Sequence, residues 1–247
     1  MIVSLSRRIR RGVDAREAGF SMAELIIAMA LFSLAMVMIT GLFIGFTNNF
    51  TKARQSNESI NVAAIGMNEM TKVVRAGTII DLKTATDKPV FVKADKEEVI
   101  FHSYIADTSV KPAPVLVRFG VGTDRILVES RWAATKVGED WTFPALVLTP
   151  TPSRITATPT TTRPIASKLI APTAAQVSAG ELYLFTYLDE DGLVIPSPVA
   201  TASLGNIASV KITMLVQADD TSRSAPVKLQ NRVGLPNLTS SRLGLNG

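Results

Sequence analysis

The chain has 247 residues, 47% of them hydrophobic, with one histidine and no cysteine. Disulfides and metal sites of the Cys or His/Cys type are excluded, and the length allows one large domain or two small ones. Of the net charge of +5, Arg7, Arg8, Arg10, Arg11 and Arg16 less Asp14 and Glu17 account for five minus two, or +3, in the first 18 residues. A basic tail of this kind suits the cytoplasmic side of a membrane. Nucleic-acid binding needs a basic face on a folded domain, so no nucleic-acid contact is inferred.

The first element in chain order is an apolar run. Residues 25–46 contain no charge. As a helix, these 22 residues would extend roughly 33 Å, enough to cross a hydrocarbon core of about 30 Å. The run is too long for a signal-peptide core, and no A-x-A-like site follows it. The plain reading is a signal anchor, with the basic end cytoplasmic and everything after Phe46 outside. Glu24, at the start of the run, does not fit a bare anchor, because ionisable residues in a span are costly. Ser21-Met22-Ala23-Glu24 matches the S-x-x-E capping box, which would give the carboxylate a local structural job.

The order of the parts is more specific than any one of them. A basic leader, then Gly19-Phe20-Ser21-Met22-Ala23-Glu24, then an unbroken apolar run resembles the N-terminus of type IV prepilins and of the pseudopilins of type II secretion. Their usual form is G-F-T-L-x-E. Here Ser21 replaces Thr, Met22 replaces Leu, and Ala23 is smaller than the usual aliphatic residue. The resemblance implies that a prepilin peptidase removes the leader, residues 1–19, between Gly19 and Phe20, and that the new Phe20 amine is methylated. It implies that Glu24, fifth in the mature chain, meets the N-terminal amine of a neighbouring pilin subunit during assembly. The implied partners are the prepilin peptidase, other pilin subunits and the lipid bilayer; no cofactor is implied. Gly41 and Gly45 form a G-x-x-x-G pair. Close helix packing and local helix weakness are equally open readings of it.

Beyond the membrane/assembly helix, 20–46, an amphipathic continuation is expected over 47–76. Ile60, Ala64, Met67 and Val74 share one face, Asn57, Asn61, Asn68 and Lys72 lie elsewhere, Arg75 is in the last turn and Gly77 is the stop. Short strands then fill a β-rich extracytoplasmic head, 77–247. Hairpins are expected where 90–92 and 99–101 flank 93–96, where 115–119 and 126–132 flank 120–124, and where 182–188 and 193–195 flank 189–192. Longer strands are expected over 207–216 and near 226–231. One long helix followed by antiparallel strands gives an α+β, pilin-like fold. The late segments resemble those of large minor pilins and pseudopilins. Residues 149–173 hold five of the 13 prolines and many threonines, and read as an exposed loop or spacer.

Catalytic chemistry finds little support. His102 lies in an alternating segment and reads as a solvent-facing or hydrogen-bonded strand residue. No nucleophile elbow accompanies it. Asp189-Glu190-Asp191-Gly192 reads as a turn rather than a calcium site. Trp132 and Trp141 read as core. The sequence therefore points to a structural subunit and not an enzyme, of a pilus-like or secretion-like filament, held in the inner membrane before assembly. The alternative is an unprocessed, single-span anchored enzyme or binding protein.

Overall fold

The structure is a computed structural model and describes residues 20–105, 113–147, 154–155, 157–180, 182–218 and 224–236. A single helix, α1, runs from Met22 to Arg75. The chain divides into two compact units, Met1–Phe50 and Thr51–Gly247.

In the first unit the described residues are all helix from Met22 onward, and all are exposed. The helix is unbroken at Gly41 and Gly45. Ser33 and Thr47 donate their hydroxyls to the carbonyls of Met29 and Phe43, at 2.8 and 2.9 Å, so neither hydroxyl is left unpaired in an apolar setting.

In the second unit the C-terminal part of α1 packs against β-sheets. The buried face is Ser59, Ala63, Gly66, Met67, Met70, Val73 and Val74, at steps of three and four along the helix. Met67 and Val74 lie where the periodicity placed them. Ile60 does not: it is 43% exposed, and Ala64 is only half-buried. The stripe is turned toward small side chains because the sheets come close there. A Cβ on Gly66 would sit 2.9 Å from Met214 Cε and 3.0 Å from the Ala166 Cβ. Asn57, Asn61, Asn68 and Lys72 are exposed, as expected. The helix ends on two tightened bonds, Ala76 N–H to Val73 O and Gly77 N–H to Val74 O, with Lys72 and Arg75 complementing the dipole. Gly77 is a stop by close approach, since an added Cβ would lie 2.9 Å from Leu235 Cδ2.

The strands follow in order: β1 (Phe91–Ala94), β2 (Glu98–Tyr104), β3 (Pro114–Val121), β4 (Leu127–Ala133), β5 (Thr135–Val137), β6 (Asp140–Thr142), β7 (Leu146–Val147), β8 (Arg154–Ile155) and β9 (Thr161–Ala166). A short helix, α2 (Ala174–Ser178), precedes β10 (Phe185–Leu188) and β11 (Val194–Ile195), and a 3-10 turn (Thr201–Asn206) precedes β12 (Ser209–Val216) and β13 (Val227–Gly234). All pairings are antiparallel. They build a five-stranded sheet, β1-β2-β3-β4-β9, a four-stranded sheet, β11-β10-β12-β13, and two ribbons, β5-β6 and β7-β8. The three expected hairpins and both longer strands are present, with ends displaced by a few residues.

The Pro/Thr-rich stretch corrects the expectation of a plain loop. Within 149–173, β9 pairs with β4, and Ile165, Ala166 and Leu169 are buried. Threonine and isoleucine suit a strand. Pro164 is tolerated because β9 is the edge of its sheet, where a missing N–H breaks no ladder. The rest of the stretch lies partly outside the described residues.

The main core joins α1 to both sheets: Met70, Val73, Phe101, Phe119, Tyr187 and Met214 share it. Alternation along β2 and β3 turns Phe101 and Val117 toward this core and Ile100 and Leu116 toward the opposite face, where Trp132 completes a smaller cluster. Polar clasps fix the helix in place. Ala218 N–H donates to Ser59 Oγ at 2.9 Å, and Asn231 Nδ2 donates to Thr71 Oγ1 at 2.9 Å. Arg163 joins Glu69 on α1, at 2.8 Å, to the buried Glu129 on β4, at 2.6 Å; Glu129 also accepts from Arg131. Tyr187, fully buried, donates its hydroxyl to Asp95 O at 2.8 Å and ties the second sheet to the β1–β2 turn. The amphipathic half of α1 and the strands thus share one core.

Candidate functional site at the start of the long helix

Phe20 is the first described residue; Gly19 and the leader lie outside the described residues. Phe20 is 85% exposed. Ser21 is the N-cap of α1. Its carbonyl accepts the first helical bond from Leu25 N–H at 3.1 Å, and its hydroxyl accepts from Ala23 N–H at 3.3 Å.

The capping box expected from Ser21 and Glu24 does not form: the Ser21 hydroxyl takes the N–H of Ala23 and not that of Glu24. The reciprocal bond, from the Ser21 N–H to the Glu24 carboxylate, is not made. Elsewhere the same chain shows the complete motif: at the start of α2, Thr173 Oγ1 accepts from Gln176 N–H at 3.3 Å, and Gln176 Oε1 accepts from Thr173 N–H at 2.8 Å. The Glu24 carboxylate therefore has no hydrogen bond or ion pair among the described residues, and local capping does not account for it. It does sit in the first turn, where the helix dipole favours a carboxylate.

Among the described residues of this unit the apolar side chains that follow stay exposed, and Phe46 and Phe50 stack on each other along the helix. Leu25, Phe32, Val37 and Phe43 are each more than half exposed. An 18-residue window of α1 has a mean hydropathy of 2.5, and none of it is buried, so the helix is long and apolar enough to cross a membrane. Nothing lies within 4 Å of a Cβ placed on Gly41 or Gly45, so both glycines offer a bare backbone surface.

Residues 14–40 match the family model described as the prokaryotic N-terminal methylation motif. The chain carries a type IV prepilin-like motif. No curated protein matches the chain. The prepilin-like motif implies processing by prepilin peptidase and suggests a pilin or pseudopilin; such proteins are usually non-enzymatic. Together with the apolar helix it suggests a membrane-anchored, extracytoplasmic protein. Among the residues missed from sequence are Ser33 and Thr47. Their signal was present: a hydroxyl residue inside an apolar helix bonds back to the i−4 carbonyl.

The head residues singled out from sequence fall in separate places. Asp189-Glu190-Asp191-Gly192 is the β10–β11 turn: Asp189 Oδ1 accepts from Leu193 N–H at 2.8 Å, and Gly192 adopts φ +81°. Trp132 is buried, its Nε1 donating to Ala157 O at 2.8 Å. Trp141 is only half-buried and lines a cavity, which corrects its reading as core.

His102 is hydrogen-bonded, as one reading had it, but not solvent-facing: it is 4% exposed, and its Nδ1 lies 2.7 Å from Pro89 O. A carbonyl can only accept, so Nδ1 carries the proton. Burial lowers the His102 pKa below its ordinary value of 6.5; the Pro89 bond opposes this and Lys88 adds to it. The unfolded chain then binds a proton that the folded chain does not. The resulting stability is intact above about pH 6.5 and is lost as pH falls below it, by up to about 1.4 kcal/mol per pH unit until the folded pKa is reached. Wild type should therefore lose stability relative to His102→Gln between pH 7 and pH 5 in urea titrations. A pH-independent difference would contradict this reading.

Proposed function

We propose that the chain is a minor pilin or pseudopilin, a structural subunit of a type IV pilus-like or type II secretion-like filament. The observation that carries this reading is the N-terminus: a prepilin-like motif leads directly into an exposed apolar helix segment whose first-turn carboxylate has no partner among the described residues. The precursor sits in the inner membrane with residues 1–19 cytoplasmic and the head outside. Prepilin peptidase hydrolyses the Gly19–Phe20 bond, giving a Gly19 carboxylate and a free Phe20 amine, which is then methylated and stays cationic. In the filament, Glu24 accepts that amine from its own or a neighbouring chain, and the bare surface at Gly41 and Gly45 allows close helix packing. The head is large for the repeating subunit of a filament, which favours an initiating or tip position.

Co-expression with a prepilin peptidase tests the processing step. Wild type should shift to a smaller membrane-bound form only when an active peptidase is present, and Gly19→Val should remain at the precursor size. Gly has no Cβ, which suits close backbone approach in the peptidase site. A size unaffected by the peptidase would favour the anchored, unprocessed alternative.

A further inference from the structure

The head carries a cavity of about 660 Å³ on the face of the five-stranded sheet turned away from α1. His102, Leu116, Trp141, Phe143 and Leu204 are among the residues that line it. Its shape is held by local bonds. The loop 81–87 is closed by the paired backbones of Ile80 and Lys88 and by Leu82 N–H donating to Asp87 Oδ1 at 2.9 Å. Asp140, on β6, latches that loop to the β5–β6 ribbon: it accepts from the backbone N–H groups of Lys83 and Thr84, at 2.5 and 3.2 Å, and from the Thr84 hydroxyl. Preformed pockets of this size, mostly apolar with few polar groups, are the usual form of small-molecule sites.

We propose that this cavity binds a small neutral molecule of two or three fused aromatic rings bearing one hydroxyl, with the rings against Trp141 and Phe143 and the hydroxyl donating to His102 Nε2. Three observations select that chemistry. Trp141 is half-buried and lines the cavity beside Phe143, whose ring centroid lies 4.4 Å from that of His102. His102 Nδ1 is committed to Pro89 O, which leaves Nε2 an acceptor without a partner among the described residues and calls for a donor on the ligand. One cation, Lys88, and one carboxylate, Asp140, line the space, so their formal charges cancel and the lining favours a neutral ligand over either ion. A single ring would leave most of the volume empty. The inference rests on the head alone and is independent of the filament reading.

The test uses the full chain in lipid nanodiscs, labelled with 5-fluorotryptophan and followed by fluorine NMR. Trp141→Phe assigns the two resonances. 2-Naphthol should shift the Trp141 resonance saturably and leave that of Trp132 in place. Naphthalene, at matched free aqueous concentration, should bind about tenfold more weakly, since it lacks the donor. In His102→Phe the two probes should bind within about twofold of each other. No saturable shift, equal affinity of the two probes for wild type, or tighter binding of 2-naphthoate would overturn the proposal.

Discussion

Glu24→Leu is expected to insert into the membrane, to be cut after Gly19, and to be nearly absent from filaments formed beside wild-type subunits. Among the described residues the carboxylate has no partner, and the first turn is capped by Ser21 without it. Losing it should therefore cost the monomer little beyond a dipole contribution of about 0.3–1 kcal/mol. In a filament the apolar helices pack together and exclude water. An ion pair between Glu24 and a Phe20 amine would be desolvated there, and removing one member strands the other charge, at about 3–5 kcal/mol. At 1.4 kcal/mol per factor of ten, incorporation should fall more than a hundredfold. Immunoblots of sheared filaments and of membranes would separate the stages. Normal incorporation would refute the pairing. Failure of insertion or cleavage would assign Glu24 to the precursor stage.

Gly66→Leu should destabilise the head by about 3 kcal/mol, whereas Gly66→Ala should change stability by less than about 1 kcal/mol. Both add a Cβ where α1 packs on the sheets, 2.9 Å from Met214 Cε and 3.0 Å from the Ala166 Cβ. The methionine end is flexible and can yield. For alanine, a gain of about 1 kcal/mol in helix propensity offsets the remaining crowding. Leucine brings three further carbons into a site with no room, and the helix must move off Ala166. For a unit of this size the leucine variant should melt roughly 6–12 °C lower. Equal melting of the three proteins would show that the contact yields more readily than the packing implies.

The fold was legible wherever one physical signal dominated. The long helix and its end near Arg75 follow from unbroken apolarity, then amphipathic spacing, then a basic last turn at Lys72 and Arg75 and a glycine. The hairpin at 120–124 follows from a glycine-rich turn between β-forming runs. What stayed hidden depended on distant neighbours. Ile60 looked like core because it is large and apolar, yet the sheets needed a flat helix face and took Ser59, Ala63 and Gly66. Strand β9 was masked by prolines and threonines that suggest a loop, and only its place at a sheet edge makes Pro164 harmless. The cavity beside His102 is assembled from loop 81–89, the β5–β6 ribbon and the 3-10 turn, segments too far apart in sequence for any local pattern to join. At the N-terminus the motif was fully legible, but two uses of Glu24 were not separable by sequence. The cap at Ser21 reaches Ala23 and not Glu24, unlike the complete box at Thr173, and so gives the carboxylate no part in the first-turn cap.

The most direct test of the account is the mass of the mature amino terminus. Protein purified from cells with an active prepilin peptidase, digested and analysed by mass spectrometry, should yield an N-terminal peptide that begins at Phe20 and carries one methyl group on its amine. An intact terminus at Met1, or a cut at any other bond, would contradict it.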